Sequence, residues 1–341
     1  MLARSLEWVL GFVLAWLTLR DVFDTVVVPG RVRGLLKLSR RLVFLFLPVW
    51  KRLRRGSIGL TFAPAVLVGA FALWMLLLTT GFALMMHAMR GHFTPQLAGF
   101  GTALYVAGSA LATIGLGNSE AHGAGAVVVV AAGFCGLAVV TMGVTYLLEV
   151  QGNVGQRDVG VLKITTTAGQ PPSAIVLCER YAALGCHEEL GTLLREGRHW
   201  CAAILQSHAT HPSLIYFRSA GTAAGWPSAL GTLMDLALIA EMLLDLPALR
   251  GAAVLAREEA DRLGRNMTGL LALPSSPGEV DAGELEALRS RLVAAGYQLR
   301  ADADWGRFAA ARRDNVAAID ALAEHLGTAK VPLAREVSSQ A

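Results

Sequence analysis

Apolar residues run in long, nearly unbroken blocks through the first 150 positions, and after that they recur at helical spacing among charges. The block LEWVLGFVLAWLTL, continued by RDVFDTVVV, predicts a membrane helix over 6–28, long enough for an apolar core about 30 Å thick. No small-x-small cleavage site follows it, so the reading is a retained helix. Arg20, Asp21 and Asp24 interrupt the block, either as a charge cluster that pairs with another helix or as a solvated helix end. Next comes RVRGLLKLSRRLVFLFLPVWKRLRR, with nine Lys/Arg and no acid. Its apolar centre is too short to span. It predicts a cytoplasmic interfacial helix, or a loop that fixes orientation, drawn to anionic lipid headgroups along Arg31–Arg55.

Residues 58–89 form the strongest spanning block, with Pro64 near its start to kink or begin the helix. A second full span covers 124–150. Between them, LAGFGTALYVAGSALATIGLG scatters Gly, Ser and Thr among apolar residues. This predicts a short helix over 97–111 that enters the membrane and unwinds into a loop shielded by protein.

Past Glu149, QGNVGQRDVG reads as the start of a linker over 151–172, with a short strand at Val159–Thr167. Residues 173–341 read as a helical domain with breaks at His211-Pro212, Trp226-Pro227 and 273–278, and a loose tail after Gly327. The stretch 228–246 is apolar enough to span. Asp235, Glu241 and Asp245, each costing about 2.5–3.5 kcal/mol in mid-bilayer, predict a buried helix of a soluble bundle instead. Glu284–Arg300 and Phe308–His325 read as amphipathic helices.

Composition agrees with a membrane half followed by a water-soluble half. The chain of 341 residues is 54% hydrophobic and 16% charged, with a mean hydropathy of +0.50, which excludes global disorder. Residues 1–157 hold 13 Lys/Arg against 5 Asp/Glu, and the remainder hold 17 against 21. No acid lies between Asp24 and Glu120. That asymmetry is one of membrane topology, and no nucleic-acid partner is expected. The cysteines and histidines Cys178, Cys186, His187, His199 and Cys201 match no common zinc spacing, so the thiols read as buried and reduced. His208, His211 and Arg218 in HATHPSLIYFRS read as a proton or ligand sensor, or as an internally paired helix end. No phosphate-binding loop, nucleophile elbow or H-E-x-x-H helix is present, and an enzyme is not expected. Nor does any helix carry Arg or Lys at every third position, as voltage sensing would require.

The residues that carry chemistry are Thr113-Ile114-Gly115-Leu116-Gly117-Asn118, directly after the short helix. Glycine adopts φ > 0 without Cβ strain, so a T-x-G-x-G run lets successive carbonyls face one axis. The carbonyls of Thr113, Ile114, Gly115 and Leu116, with the Thr113 hydroxyl, are then able to replace the hydration shell of a cation. The C-terminal end of the short helix adds partial negative charge at the same place.

On these residues, residues 58–150 resemble the pore module of the potassium channel superfamily. In that family the filter commonly reads T-V-G-Y-G-D. Thr113, Gly115 and Gly117 match it, Ile114 is a conservative replacement, and Leu116 and Asn118 stand where Tyr and Asp are usual. The resemblance implies an outer helix at 58–89, a pore helix at 97–111, a filter at 113–118 and an inner helix at 124–150. With one loop per chain it also implies a homotetramer. Gly133, Gly136 and Gly143 fall where the family often has a flexible inner-helix glycine, so each is a gating hinge or a close-packing position. The expected fold is an all-α, multi-pass cell-membrane protein, with residues 1–57 ahead of the pore module and a cytoplasmic C-terminal half. The expected function is passive potassium conduction with permeant K+ in the filter and no other cofactor. Leu116 and Asn118 leave open a weakly selective channel, and the helical C-terminal half leaves open a non-conducting sensor.

Overall fold

The structure, a computed structural model, describes residues 1–28, 45, 48, 58–115, 119–169, 171–219, 225–274 and 280–333. It is mostly helical and divides into two units, Met1–Gln151 and Gly152–Ala341. Among the described residues three helices are long and apolar enough to cross a membrane: α1 (Leu2–Val26), α2 (Ile58–Ala88) and α4 (Ala124–Ala168). The basic stretch Arg31–Arg55 lies, apart from Leu45 and Pro48, outside the described residues.

In the first unit, α1 buries one face, made of Gly11, Ala15, Thr18, Asp21 and Val22, and packs it on α2. The approach is backbone to backbone. A Cβ on Gly11 would lie 2.5 Å from the Gly81 carbonyl oxygen, and one on Gly81 would lie 2.9 Å from the Gly11 carbonyl oxygen. Small residues are what allow helices to meet this closely in an apolar medium. Helix α2 runs through Pro64 rather than starting at it. After α2 the chain makes a 3₁₀ turn at Arg90–His92 and a two-residue strand β1 (Phe93–Thr94). It then enters the short helix α3 (Phe100–Leu111), three residues shorter at its start than the sequence suggests. Strand β2 (Glu120–Ala121) pairs antiparallel with β1 and leads into α4. The core between these elements is apolar, with Trp74, Leu78, Phe82, Met86, Ala107, Leu111, Ala132 and Val139 buried.

Helix α4 corrects the sequence reading of a linker and a strand after residue 150, because it continues without interruption to Ala168. The run VGVLKITTT is rich in β-branched residues, which suggests a strand. However, Arg157, Val161, Ile164, Thr165 and Ala168 are the buried positions, and their spacing belongs to one helical face. Burial decided the conformation here, against local propensity.

The second unit adds α5 (Ala174–Ala183), α6 (Glu189–Thr210), a 3₁₀ turn at Pro212–Tyr216, α7 (Gly225–Met242), α8 (Pro247–Leu270), α9 (Ala282–Ala294) and α10 (Trp305–Leu326). Helix α7 is its centre, with every residue from Gly225 to Ala240 buried. Pro227 sits in its first turn, so the expected break is a helix start. Helix α9 ends earlier than the sequence suggests. Gly296 takes φ +87°, and the chain beyond it bonds to the end of α7, with Asp245 N–H donating to the Gln298 carbonyl and Arg300 N–H to the Leu243 carbonyl, each at 2.9 Å. The tail also departs from expectation. Ser173 and Ser228 hydroxyls donate to the carbonyls of Leu333 and Ala329, and Leu333 is fully buried. The chain is therefore docked as far as Leu333, and residues 334–341 lie outside the described residues.

Candidate functional site

Helix α3 ends in a left-handed cap. Leu111, its last residue, is buried, and Thr113 turns to φ +56°. The Thr113 N–H donates to the Ala110 carbonyl and the Ile114 N–H to the Ser109 carbonyl, each at 3.0 Å, which satisfies carbonyls that the helix end would otherwise leave open. A β-branched residue in this region is a conformational outlier. Strain of that kind costs about 1–3 kcal/mol and collects at functional sites. Gly115 is left-handed too, at φ +72°, so two left-handed residues flank Ile114.

The stretch from Thr113 to Gly115 is exposed, and among the described residues no backbone N–H donates to the carbonyls of Thr113, Ile114 or Gly115. The Thr113 hydroxyl donates to the Ala112 carbonyl at 2.7 Å, which uses its hydrogen and leaves the oxygen lone pairs as acceptors. Leu116, Gly117 and Asn118 lie outside the described residues.

The three inner-helix glycines differ in their surroundings. A Cβ on Gly136 would run into the Leu111 carbonyl, so this glycine lets α4 cross directly beneath the end of α3. A Cβ on Gly143 would lie 2.6 Å from the Phe71 ring, and one on Gly133 would meet only the Ala110 carbonyl oxygen at an ordinary 3.6 Å. Helix α4 is unbroken through all three.

Two polar ties between α1 and α2 were only half legible in the sequence. Asp21 is buried and accepts from the Trp74 indole N–H at 2.9 Å, while Arg20 pairs with Asp24 across one helical turn at 3.7 Å. The charged turn thus contributes one carboxylate to another helix. Its partner is an indole, which no charge pattern would reveal. The second tie, between His87 Nδ1 and Glu7 Oε1 at 2.6 Å, was missed altogether.

In the second unit the remaining candidates are mostly buried and hydrogen-bonded within the helices. Burial pushes the Cys178 thiol up to about 12 and the Cys201 thiol upward as well, while Cys186 is exposed. Among the described residues no three His, Cys, Asp or Glu side chains converge to hold a metal ion. His208 is buried and its Nδ1–H donates to the Ile204 carbonyl at 2.9 Å. Desolvation, with the nearby Arg157 guanidinium, holds its imidazole down at about 4. Arg157 is itself buried, donating to the Leu214 carbonyl and pairing with Asp158, both at 3.2 Å. His211 is buried as well, and Arg218 donates to the Gly327 carbonyl at 3.4 Å. Asp235, which argued against a membrane span at 228–246, meets Arg312 of α10 at 3.3 Å, and Arg312 also reaches Glu284 of α9 at 3.5 Å.

Comparison with family models, curated proteins and solved structures returned no match for this chain.

Proposed function

We propose that this chain is one subunit of a fourfold cation channel that conducts potassium passively through the backbone carbonyls of residues 113–118. The observation that carries the reading is the pair of left-handed residues Thr113 and Gly115 at the end of a half-length helix, with carbonyls that have no hydrogen-bond donor within the described chain. Carbonyls left open in this way are able to coordinate a partly dehydrated cation. The helix and loop connect two helices long and apolar enough to cross a membrane, which is where irregular backbone needs a protein or water lining.

One loop provides one set of carbonyls, and a closed ring needs copies related by symmetry. Helix α4 offers the surface for them, since Val127, Val130, Phe134, Leu137, Val144 and Leu148 are all exposed in the single chain and recur at three-, four- and seven-residue spacing along one face. In this reading α3 enters the membrane from the outside, and both the basic stretch Arg31–Arg55 and the helical second unit are cytoplasmic.

The test is potassium flux from liposomes holding the wild-type chain, Gly115→Ala or Gly117→Ala. Either substitution adds a Cβ where the filter needs φ > 0 and abolishes flux. Wild-type flux from either variant contradicts the assignment. Leu116 and Asn118 favour a second reading, a channel that passes sodium as well, and the reversal potential in mixed potassium and sodium distinguishes it.

A further inference from the structure

The two ends of the segment that holds α3 and the loop are stapled together by the β1–β2 ladder. Its register pairs Phe93 with Ala121 and Thr94 with Glu120. Extending it by one residue sets His92 opposite His122, and the bond from the His122 N–H to the His92 carbonyl, at 2.8 Å, shows that this pairing is made. Side chains directly opposite in an antiparallel pair share one face, with Cβ atoms about 4.5–5.5 Å apart.

Burial identifies that face. Phe93 is buried and Ala121 partly buried, whereas His92, Thr94, Glu120 and His122 are exposed. The His92 ring also leans toward the turn after β2, because its Nδ1 lies 3.8 Å from the position a Cβ would take on Gly123. Two imidazoles and one carboxylate therefore share an exposed face of a two-residue ladder.

We propose that His92 and His122 form a clip for a borderline divalent transition-metal cation such as Zn2+. Neutral imidazole suits zinc, copper and nickel, and in an open zinc site water takes the position that the protein ligands leave. Among the described residues no third His, Cys, Asp or Glu joins the pair to hold a metal ion, so it supplies two ligands, with Glu120 the carboxylate next to it along the strand. The occupied clip adds a second staple where the chain leaves α2 and again where it enters α4, closing the loop that carries α3. Its binding rests on the ladder alone, while any effect on conduction rests on the channel reading.

The experiment is calorimetric titration of the tag-free full chain with Zn2+, alongside His92→Asn, His122→Asn and, as a control, His199→Asn, an exposed imidazole of the second unit. The expected result is one site per chain, weakened roughly tenfold or more in both ladder variants, since even loss of an outer-shell partner costs about 10–100-fold. The control binds as wild type. A wild-type chain without a site, or a site that survives both ladder substitutions, overturns the clip. Zn2+ added outside liposomes lowers the potassium flux of the wild type and leaves that of His122→Asn unchanged. Binding lost in the variants with no change in wild-type flux overturns the link to the mouth. A wild type that conducts nothing without metal tells against the channel reading, and the titration still decides the clip.

Discussion

Several side chains perform a task that their residue type alone does not announce. Gly136 and Gly133 sit three residues apart on the same helix, yet only at Gly136 would a Cβ strike a backbone carbonyl, that of Leu111. A carbonyl in a helix end cannot move aside as a side chain does. Gly136→Ala is therefore expected to destabilise the first unit by roughly 1–3 kcal/mol, as overpacking does, and Gly133→Ala to leave it unchanged, both read from thermal melts in detergent. A glycine needed only for bending would show the reverse, with altered conduction and unaltered melting. His208 gives a pH-dependent counterpart. Its imidazole is held near 4 in the folded chain, against about 6.5 unfolded. Above about pH 6.5 it is neutral in both states and costs nothing. As the pH falls from there towards 4 the unfolded chain takes up a proton that the folded chain refuses, so stability falls, by up to roughly 3 kcal/mol at pH 4. Chemical denaturation at pH 7 and pH 4.5 is expected to show a smaller acid loss in His208→Gln than in the wild type; an equal loss would mean that His208 does not carry it.

At the scale of elements, the sequence is most legible where one force dominates. Continuous apolar blocks leave little choice beyond a membrane helix, and α2 and the start of α4 fall within a residue or two of their expected bounds. The far end of α4 was not legible, because the glycines and polar residues of QGNVGQRDVG resemble a linker and VGVLKITTT resembles a strand. The buried stripe from Arg157 to Ala168 holds the helix together there, and a stripe of that kind is recognisable only once its partners are known. Trp200 is one such partner: its indole N–H donates to the Arg157 carbonyl at 2.9 Å. The α1–α2 pair was half legible, with Asp21 visible as a misplaced charge and Trp74 hidden among apolar residues. Trp74→Phe keeps the ring and removes the N–H, which is expected to cost about 0.6 kcal/mol, the average for interhelical hydrogen bonds in membranes. Gly81→Leu drives a side chain into the Gly11 carbonyl and is expected to separate the helices. Disulfide cross-linking between cysteines introduced on α1 and α2 would report it, and undiminished cross-linking would refute the backbone contact.

At the scale of the whole molecule, two kinds of interior stand in one chain. The first unit leaves large apolar side chains exposed along α1, α2 and α4, which suits an apolar surround, while the second closes around α7 and the buried Asp235–Arg312 pair. Removing one partner of such a pair leaves an uncompensated charge and typically costs about 3–5 kcal/mol, whereas replacing both with apolar residues is close to neutral. Arg312→Met is thus expected to unfold the second unit readily and Asp235→Leu with Arg312→Met to recover it, as followed by helical circular dichroism. The proposed function rests on conduction through residues 113–118 of the first unit. Its most direct test is ion flux from the purified full chain in liposomes, first under a potassium gradient and then under a sodium gradient. Potassium flux blocked by barium, with little sodium flux, is the predicted result. A reconstituted chain that passes neither ion, and whose loops do not meet on a common axis in an experimental structure, would contradict it.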